Sequence, residues 1–241
     1  MARNLDRVYL IGAGGIGSVL INPLARALIY HKRGTTDITL VEADKIEPHN
    51  IARQMFASDH IGLNKAEALL TQLHSTMPSL KYIDEFVNKD ITKDILLDDG
   101  GDKKLNVVIT AVDNLATRHD VINALRECNE NYALDFIFIN CGNSYDSAHA
   151  SIWAKVNNVN YFIDPFRRYL ELAEPTDTIP GHCGEEAPSS PQLLAANNLA
   201  ANFVLTYVQN LLDGEPVHEE VNGWLRRQLT KPLGQRKTIL F

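Results

Sequence analysis

Three charged side chains, Arg53, Lys65 and Asp113, stand close to points where apolar runs give way to polar segments. An arginine and a lysine suit multiply charged phosphate, since each donates several charge-assisted hydrogen bonds to its oxygens. A carboxylate beside phosphate is repulsive unless a cation lies between them, and Mg²⁺ is typically held by one or two carboxylates plus phosphate oxygens. Asp113 is therefore a candidate Mg²⁺ ligand. Upstream runs Gly12-Ala13-Gly14-Gly15-Ile16-Gly17, entered by the apolar stretch Val8-Tyr9-Leu10-Ile11. The first glycine of such a turn makes the bend, the second admits phosphate to the backbone, and the third packs helix on strand. Phosphate then meets the free N–H groups and the positive end of the following helix.

The glycine turn alone fits an NAD or FAD site, and the residues after it choose the nucleotide. In a dehydrogenase one acidic residue at the end of the second strand binds ribose, and the chain passes straight into a helix. Here Glu42 can take the ribose hydroxyls, but a polar segment follows with Asp44, Asn50, Arg53 and Gln54. Lys65 then stands at the start of another helix, and Asp113 is followed by Asn114 and Arg118. The set implies MgATP. An NAD(P)-dependent oxidoreductase remains the alternative, although residues 130–241 hold no hydride-transfer constellation. Plainer readings stand beside these: Asp113 could cap the helix it precedes, and Arg53 and Lys65 could be solvated surface charges. His49, His60 and His119 have no metal-ligand spacing.

These residues need elements to place them. Strand signals fall at 7–11, 37–42, 81–87, 105–112 and 136–140, with helical patterns at 15–31, 63–75 and 115–129. Strands alternating with such helices predict an α/β fold, a Rossmann-like, mainly parallel sheet with helices on both faces. Ligands bind beyond the carboxyl ends of its strands, where Gly12–Gly17, Glu42–Asp44 and Asp113 emerge. Residues 147–163 read as one or two antiparallel strands turning at Asn157-Asn158. A long Pro- and Gly-bearing loop follows at about 164–190, then a helix over 191–212 with Pro191 near its start and Gly214 beyond its end. The tail, 215–241, is basic through Arg226, Arg227, Lys231, Arg236 and Lys237, and ends in a strand-like Thr-Ile-Leu-Phe. It is either solvated or grips nucleotide or an acidic partner. Residues 1–145 are expected to form the nucleotide-binding core and 146–241 an antiparallel extension with a C-terminal helix in the same domain.

The 241 residues are 45% hydrophobic and 22% charged, ordinary for a soluble globular chain, and a net charge of −7 argues against nucleic acid or an anionic membrane as partner. No apolar stretch approaches a membrane span of roughly 20 residues. The chain runs directly into its first strand, so no secretory leader is expected. The odd count of three cysteines, widely spaced, fits a reducing cytoplasm and no disulfide framework. Without a Cys-x-x-Cys pair, no structural zinc is expected. Cys183, beside His182 in Pro-Gly-His-Cys-Gly-Glu-Glu, is the one candidate for a reactive thiol, and an inert loop thiol is its other reading. Cys128 and Cys141 read as packing.

Five blocks in order resemble the ThiF/MoeB/ubiquitin-activating family of adenylating enzymes: Gly12–Gly17; Val41-Glu42-Ala43-Asp44; Asn50-Ile51-Ala52-Arg53-Gln54; Asp59 to Ala66; and Asp113-Asn114 with Arg118. Beyond residue 130 the resemblance thins, with Phe-Ile-Asn-Cys-Gly-Asn and the Pro-Ser-Ser to Asn198 region most similar to short ThiF proteins of the PRTRC type. The resemblance implies that Glu42 binds ribose, where the family usually carries Asp. It implies that Arg53 and Lys65 hold the phosphates, that Asn50 and Gln54 orient phosphate or the incoming carboxylate, and that Asp113 holds Mg²⁺. The implied reaction is attack by the C-terminal carboxylate of a small ubiquitin-like or sulfur-carrier protein on ATP, giving an acyl-adenylate and pyrophosphate. A homodimer is likewise implied. Two departures stand out: only six residues precede Arg7, so the family's N-terminal helix with its arginine is expected to be missing, and its zinc-binding cysteine pairs are absent. They leave open a nucleotide-binding scaffold that has lost catalysis.

Overall fold

Val8 and Leu10 turn to one side of the first strand, β1 (Arg7–Ile11), Tyr9 and Ile11 turn to the other, and both sides are buried. A strand covered on both faces belongs inside a parallel sheet flanked by helices. The computed structural model describes residues 4–74, 77, 79–98, 100, 104–168, 194–225 and 229–239. β1 lies between β2 (Ile38–Val41) and β4 (Asn106–Thr110); β3 (Lys81–Ile83) flanks β2, β5 (Phe136–Asn143) flanks β4, and all these pairings are parallel. The sheet continues antiparallel through β6 (Ser147–Val156), β8 (Val217–Trp224) and β9 (Leu229–Lys237), while β7 (Val159–Tyr161) pairs with β6. The order 3-2-1-4-5-6-8-9 reverses direction between β1 and β4. Ligands of open α/β sheets bind at such a reversal, beyond the carboxyl ends of the strands.

One face is covered by α1 (Gly15–Tyr30), α2 (Lys65–Leu73) and the long α6 (Leu194–Asp213), whose Leu20, Leu24, Leu69, Val204 and Val208 share one core with Leu10, Leu40 and Ile139. The other face is covered by α3 (Lys89–Leu97) and α4 (Leu115–Tyr132), packed on Tyr9, Val108, Phe136 and Phe138. Each of those buried phenylalanines contributes about 1.5–3 kcal/mol by removal from water. The expected α/β sheet with helices on both faces is what the chain forms.

Four differences from the sequence reading have physical causes. The 81–87 run supplies a strand only at Lys81–Ile83, and Asn88 caps a helix, α3, that the sequence reading lacks; its side chain accepts from the Ile91 amide. The basic tail is an edge hairpin, with Lys231, Arg236 and Lys237 on β9. The strand-like ending is not a strand where it is described, at Thr238 and Ile239, although Ile239 is buried. Within the expected long loop, Pro165–Arg168 forms a short helical turn, α5, tied down by Arg168 to the carboxylates of Glu219 and Glu220 at 3.1 and 2.7 Å. The turn at Asn157-Asn158 forms as expected, both residues at positive φ, which asparagine tolerates better than most. Among the described residues no helix is long and apolar enough to cross a membrane.

Candidate functional site

Gly12 sits at φ +101°, and a Cβ there would lie 2.8 Å from the Ala111 carbonyl oxygen; only glycine makes this bend against β4. A Cβ at Gly17 would fall 1.9 Å from the Gly12 oxygen, so the third glycine packs helix on strand as expected. Gly14 is different: its missing Cβ faces open space, with the Gln54 Nε2 4.0 Å away. Gly14 is also the N-cap of α1 and makes no side-chain cap hydrogen bond, leaving the first amides of a 16-residue helix without a side-chain partner at the cap. Gly15 is glycine for a reason the sequence did not reveal. A side chain there would strike Asn197 of α6, whose Nδ2 is 2.6 Å from the Cβ position.

At the end of β2, the Glu42 carboxylate accepts from the Ala13 amide at 2.9 Å and from the Asp44 amide at 3.0 Å. It splints the glycine turn, and since a carboxylate has about four lone-pair sites it keeps acceptor capacity for a ligand hydroxyl. Burial pushes its pKa up, against the two backbone amides and Lys65, which pull it down. Lys65 is the first residue of α2; its stem is buried and its Nζ lies 2.9 Å from the Asp44 Oδ2. Asn64 caps that helix, accepting from the Ala66 and Glu67 amides while donating to the Glu42 carbonyl and to Asp84. Asp44, expected among the ligand-binding residues, thus pairs with Lys65.

The polar segment between β2 and α2 is an ordered excursion. Lys45 bridges Asn64, Ile46 and Leu63 close its neck, and the buried Ile46 and Phe56 pin it to the core. Asn50 is buried, with its Oδ1 accepting from the Glu47 amide and its carbonyl accepting from the Arg53 and Gln54 amides. It shapes the turn that presents those two residues. The Gln54 Oε1 is a buried acceptor with no partner among the described residues. An orphaned amide oxygen beside an uncapped helix start is what an absent ligand would leave behind.

The turn after β4 separates two roles that the sequence left merged. Asn114 is the cap of α4, its Oδ1 accepting from the Thr117 amide at 2.7 Å. Asp113, read as a possible cap, is not one: its carboxylate is exposed and free of any role in the helix. Asn114, expected among the ligand-binding residues, spends its oxygen on the helix. Arg118 is buried and donates to the Val112 carbonyl and to the Asn140 Oδ1, which also accepts from the Thr110 hydroxyl. It fastens the turn that carries Asp113. Since Gly12 packs on Ala111 and Val112, this turn adjoins the glycine turn.

Cys141 is wholly buried, donates to the Thr110 carbonyl, and burial pushes its thiol up to about 12; Cys128 is pushed up to about 11. Both are packing residues, as expected. Cys183 lies outside the described residues. Among the described residues no group of three or more His, Cys, Asp and Glu could hold a metal ion by itself. Asp113 offers one free carboxylate, a donor set that suits Mg²⁺ shared with phosphate oxygens. Sequence reasoning missed Asn197 and Asn143, whose side chains bond at 2.8 Å. The available signal was an asparagine inside the alanine-rich start of a helix, Leu194-Ala-Ala-Asn197, where a polar residue of modest helix propensity needs a reason.

Comparison with known proteins bears on the family and the fold. A profile described as the ThiF family matches residues 2–132. The ubiquitin-like modifier-activating enzyme 5 of Aedes aegypti is 29% identical over 137 residues, covering 52% of this chain and 32% of that protein. The tRNA threonylcarbamoyladenosine dehydratase of Haemophilus influenzae is 31% identical over 118 residues, 48% of this chain and 41% of that protein. The chain thus spans less than half the length of these curated relatives. The fold matches the crystal structure of E. coli MccB with AMPCPP and MccA at a TM-score of 0.62 and 20% identity, over 94% of this chain and 63% of that one.

Proposed function

This chain belongs to the ThiF family, and on that premise we propose that it is an ATP-dependent adenylating enzyme acting on the C-terminal carboxylate of a small ubiquitin-like or sulfur-carrier protein. The observation that carries the reading is the set of polar groups the fold leaves unused around the start of α1. They are the uncapped helix amides behind Gly14, the unpartnered Oε1 of Gln54, and the exposed carboxylate of Asp113. The amides bind phosphate, and Glu42, already fixed by two backbone donors, accepts the ribose hydroxyls. Lys65 exchanges its Asp44 partner for phosphate, while Arg53 and Gln54 approach from the excursion that Asn50 shapes. Asp113 holds Mg²⁺, with Asn114 and Arg118 fixing the turn beneath it; the ion, when bound, neutralises charge on the phosphate oxygens.

A carboxylate oxygen of the partner protein forms a bond to the α-phosphorus as the bond from that phosphorus to the departing pyrophosphate breaks. No proton need move, so the chain's contribution is positioning and electrostatic stabilisation of the leaving charge. Cys183 is the candidate acceptor of the activated acyl group, and a second copy of the chain is the expected assembly partner. The first test is thermal unfolding with MgATP, with ATP plus EDTA, and with NAD⁺. A ligand at about 100 times its Kd adds roughly 2.7 kcal/mol, or several degrees at about 2–4 °C per kcal/mol for this size. Stabilisation by MgATP that weakens without metal, followed by pyrophosphate exchange with a carrier protein, is expected. Stabilisation by NAD⁺ alone would overturn the assignment.

A further inference from the structure

On either side of Gln54, the excursion is hydrogen-bonded to a helix of the core. On one side of Gln54, the Met55 amide donates to the Ser18 hydroxyl of α1 at 3.2 Å. On the other, the Arg53 carbonyl accepts from the Asn197 Nδ2 of α6 at 3.4 Å. Asn197 is 1% exposed, and its Oδ1 accepts from the Asn143 Nδ2 at the end of β5. The same carboxamide lies in the space where Gly15 lacks a side chain. One buried amide thus joins three elements distant in sequence: the glycine turn, the excursion and the last parallel strand. A buried carboxamide in a helix is costly unless its hydrogen bonds are made; here its oxygen is held by β5 and its nitrogen is given to the backbone of Arg53.

We propose that Asn197 is a positioning residue of this site: wedged against Gly15 and bonded to the Arg53 carbonyl, it fixes where Arg53 and Gln54 meet the phosphates. The inference rests on the nucleotide reading above and deepens it. Asn197 itself touches no ligand, because it lies beneath the turn. Its effect falls on the β- and γ-phosphates that the excursion addresses and spares the ribose and α-phosphate, held by Glu42 and the start of α1. A residue that merely stabilised α6 would show no such split.

The experiment compares MgATP and AMP binding to the full chain by calorimetry, for wild type, Asn197→Ala, Asn197→Asp and Val208→Ala. Val208 is a buried α6 residue remote from the site residues in sequence, and its truncation controls for lost helix stability. Asn197→Ala and Asn197→Asp are expected to weaken MgATP about tenfold, which is about 1.4 kcal/mol, while AMP changes less than about twofold and Val208→Ala leaves both affinities unchanged. Should both Asn197 variants fail to fold, Asn143→Ala removes the donor that holds the Asn197 carboxamide from β5 and is expected to give the same split. Equal weakening of MgATP and AMP, or no weakening of either, would overturn the proposal. A wild-type chain that binds neither nucleotide would overturn the nucleotide reading, and the inference with it.

Discussion

The parallel and antiparallel halves of the sheet spend their polar residues differently. In the parallel half, strands β1, β2 and β4 all end at one edge, and the loops there carry groups that the fold does not use, such as the Asp113 carboxylate and the Gln54 Oε1. In the antiparallel half, buried charge is consumed internally. Arg168 binds Glu219 and Glu220, the Glu219 carboxylate also accepts from the Ile163 amide, and Asn222 donates to Glu220. Parallel connections bring successive strand ends to the same side and so gather loops into one place. Antiparallel hairpins alternate the ends and gather none. The chemistry proposed above would belong to the first half, with the second half bracing it.

That division can be broken by experiment. Asp113→Ala is expected to lower Mg²⁺-dependent pyrophosphate exchange by about 10²–10³-fold, the scale of losing one preorganised electrostatic group, with the unfolding midpoint unchanged. A large loss of stability in that variant would mean that the parallel half also spends its loop charges on folding. In the antiparallel half, burial, aided by Arg118 and opposed by Glu220, holds His149 down to about 4 from 6.5. The unfolded chain therefore takes up a proton in that interval that the folded chain refuses. The stabilising contribution is complete above pH 6.5 and is lost as pH falls through about 4. At about 1.4 kcal/mol per pH unit, the loss reaches no more than about 3.5 kcal/mol; denaturation at successive pH values should show it, and His149→Gln should flatten it. An unaltered slope in that variant would remove His149 from the account.

Arg53→Ala is expected to reduce turnover at least about tenfold and nucleotide affinity less, because charge on the leaving group grows towards the transition state. An equal loss in both would make Arg53 a binding residue only. The smallest expected effect is that of Cys183→Ser, which should leave pyrophosphate exchange intact and abolish only a thioester detected on non-reducing gels. Acyl transfer that persists in this variant would retire Cys183.

Where a single local rule governs a segment, the sequence was enough. The positive φ at Gly12 and the packing of Gly17 on the Gly12 carbonyl follow from residues a few positions apart, and so does the apolar run that makes the buried strand before them. The start of α2 was equally legible. Other features depend on partners far along the chain. Helix α3 is short, with Thr92 and Leu96 its fully buried residues, and it is held by Lys93 and Lys89 reaching Glu127 of α4. Its apolar residues recur at helical spacing, but over only nine residues that directly follow a run read as a strand to residue 87. The basic tail resembled a solvated segment because an edge hairpin may be polar on its open side. Gly15 looked like part of a phosphate turn, and the cause of its smallness lies 182 positions away in Asn197. Asp113 and Asn114 are chemically alike as caps, and only the backbone geometry decides between them.

The outer edge of β9 has a consequence for how the protein behaves in concentrated solution. A last strand of nine residues offers a template on which another extended chain could add, the first step towards fibres. Here Pro232 removes a donor from the middle of that template, and exposed Lys231 and Arg236 set positive charge along it, so two such edges repel on approach. The protein is thereby guarded against its own crowding, and replacing Lys231 and Pro232 with valine and threonine would turn its quietest border into a seed.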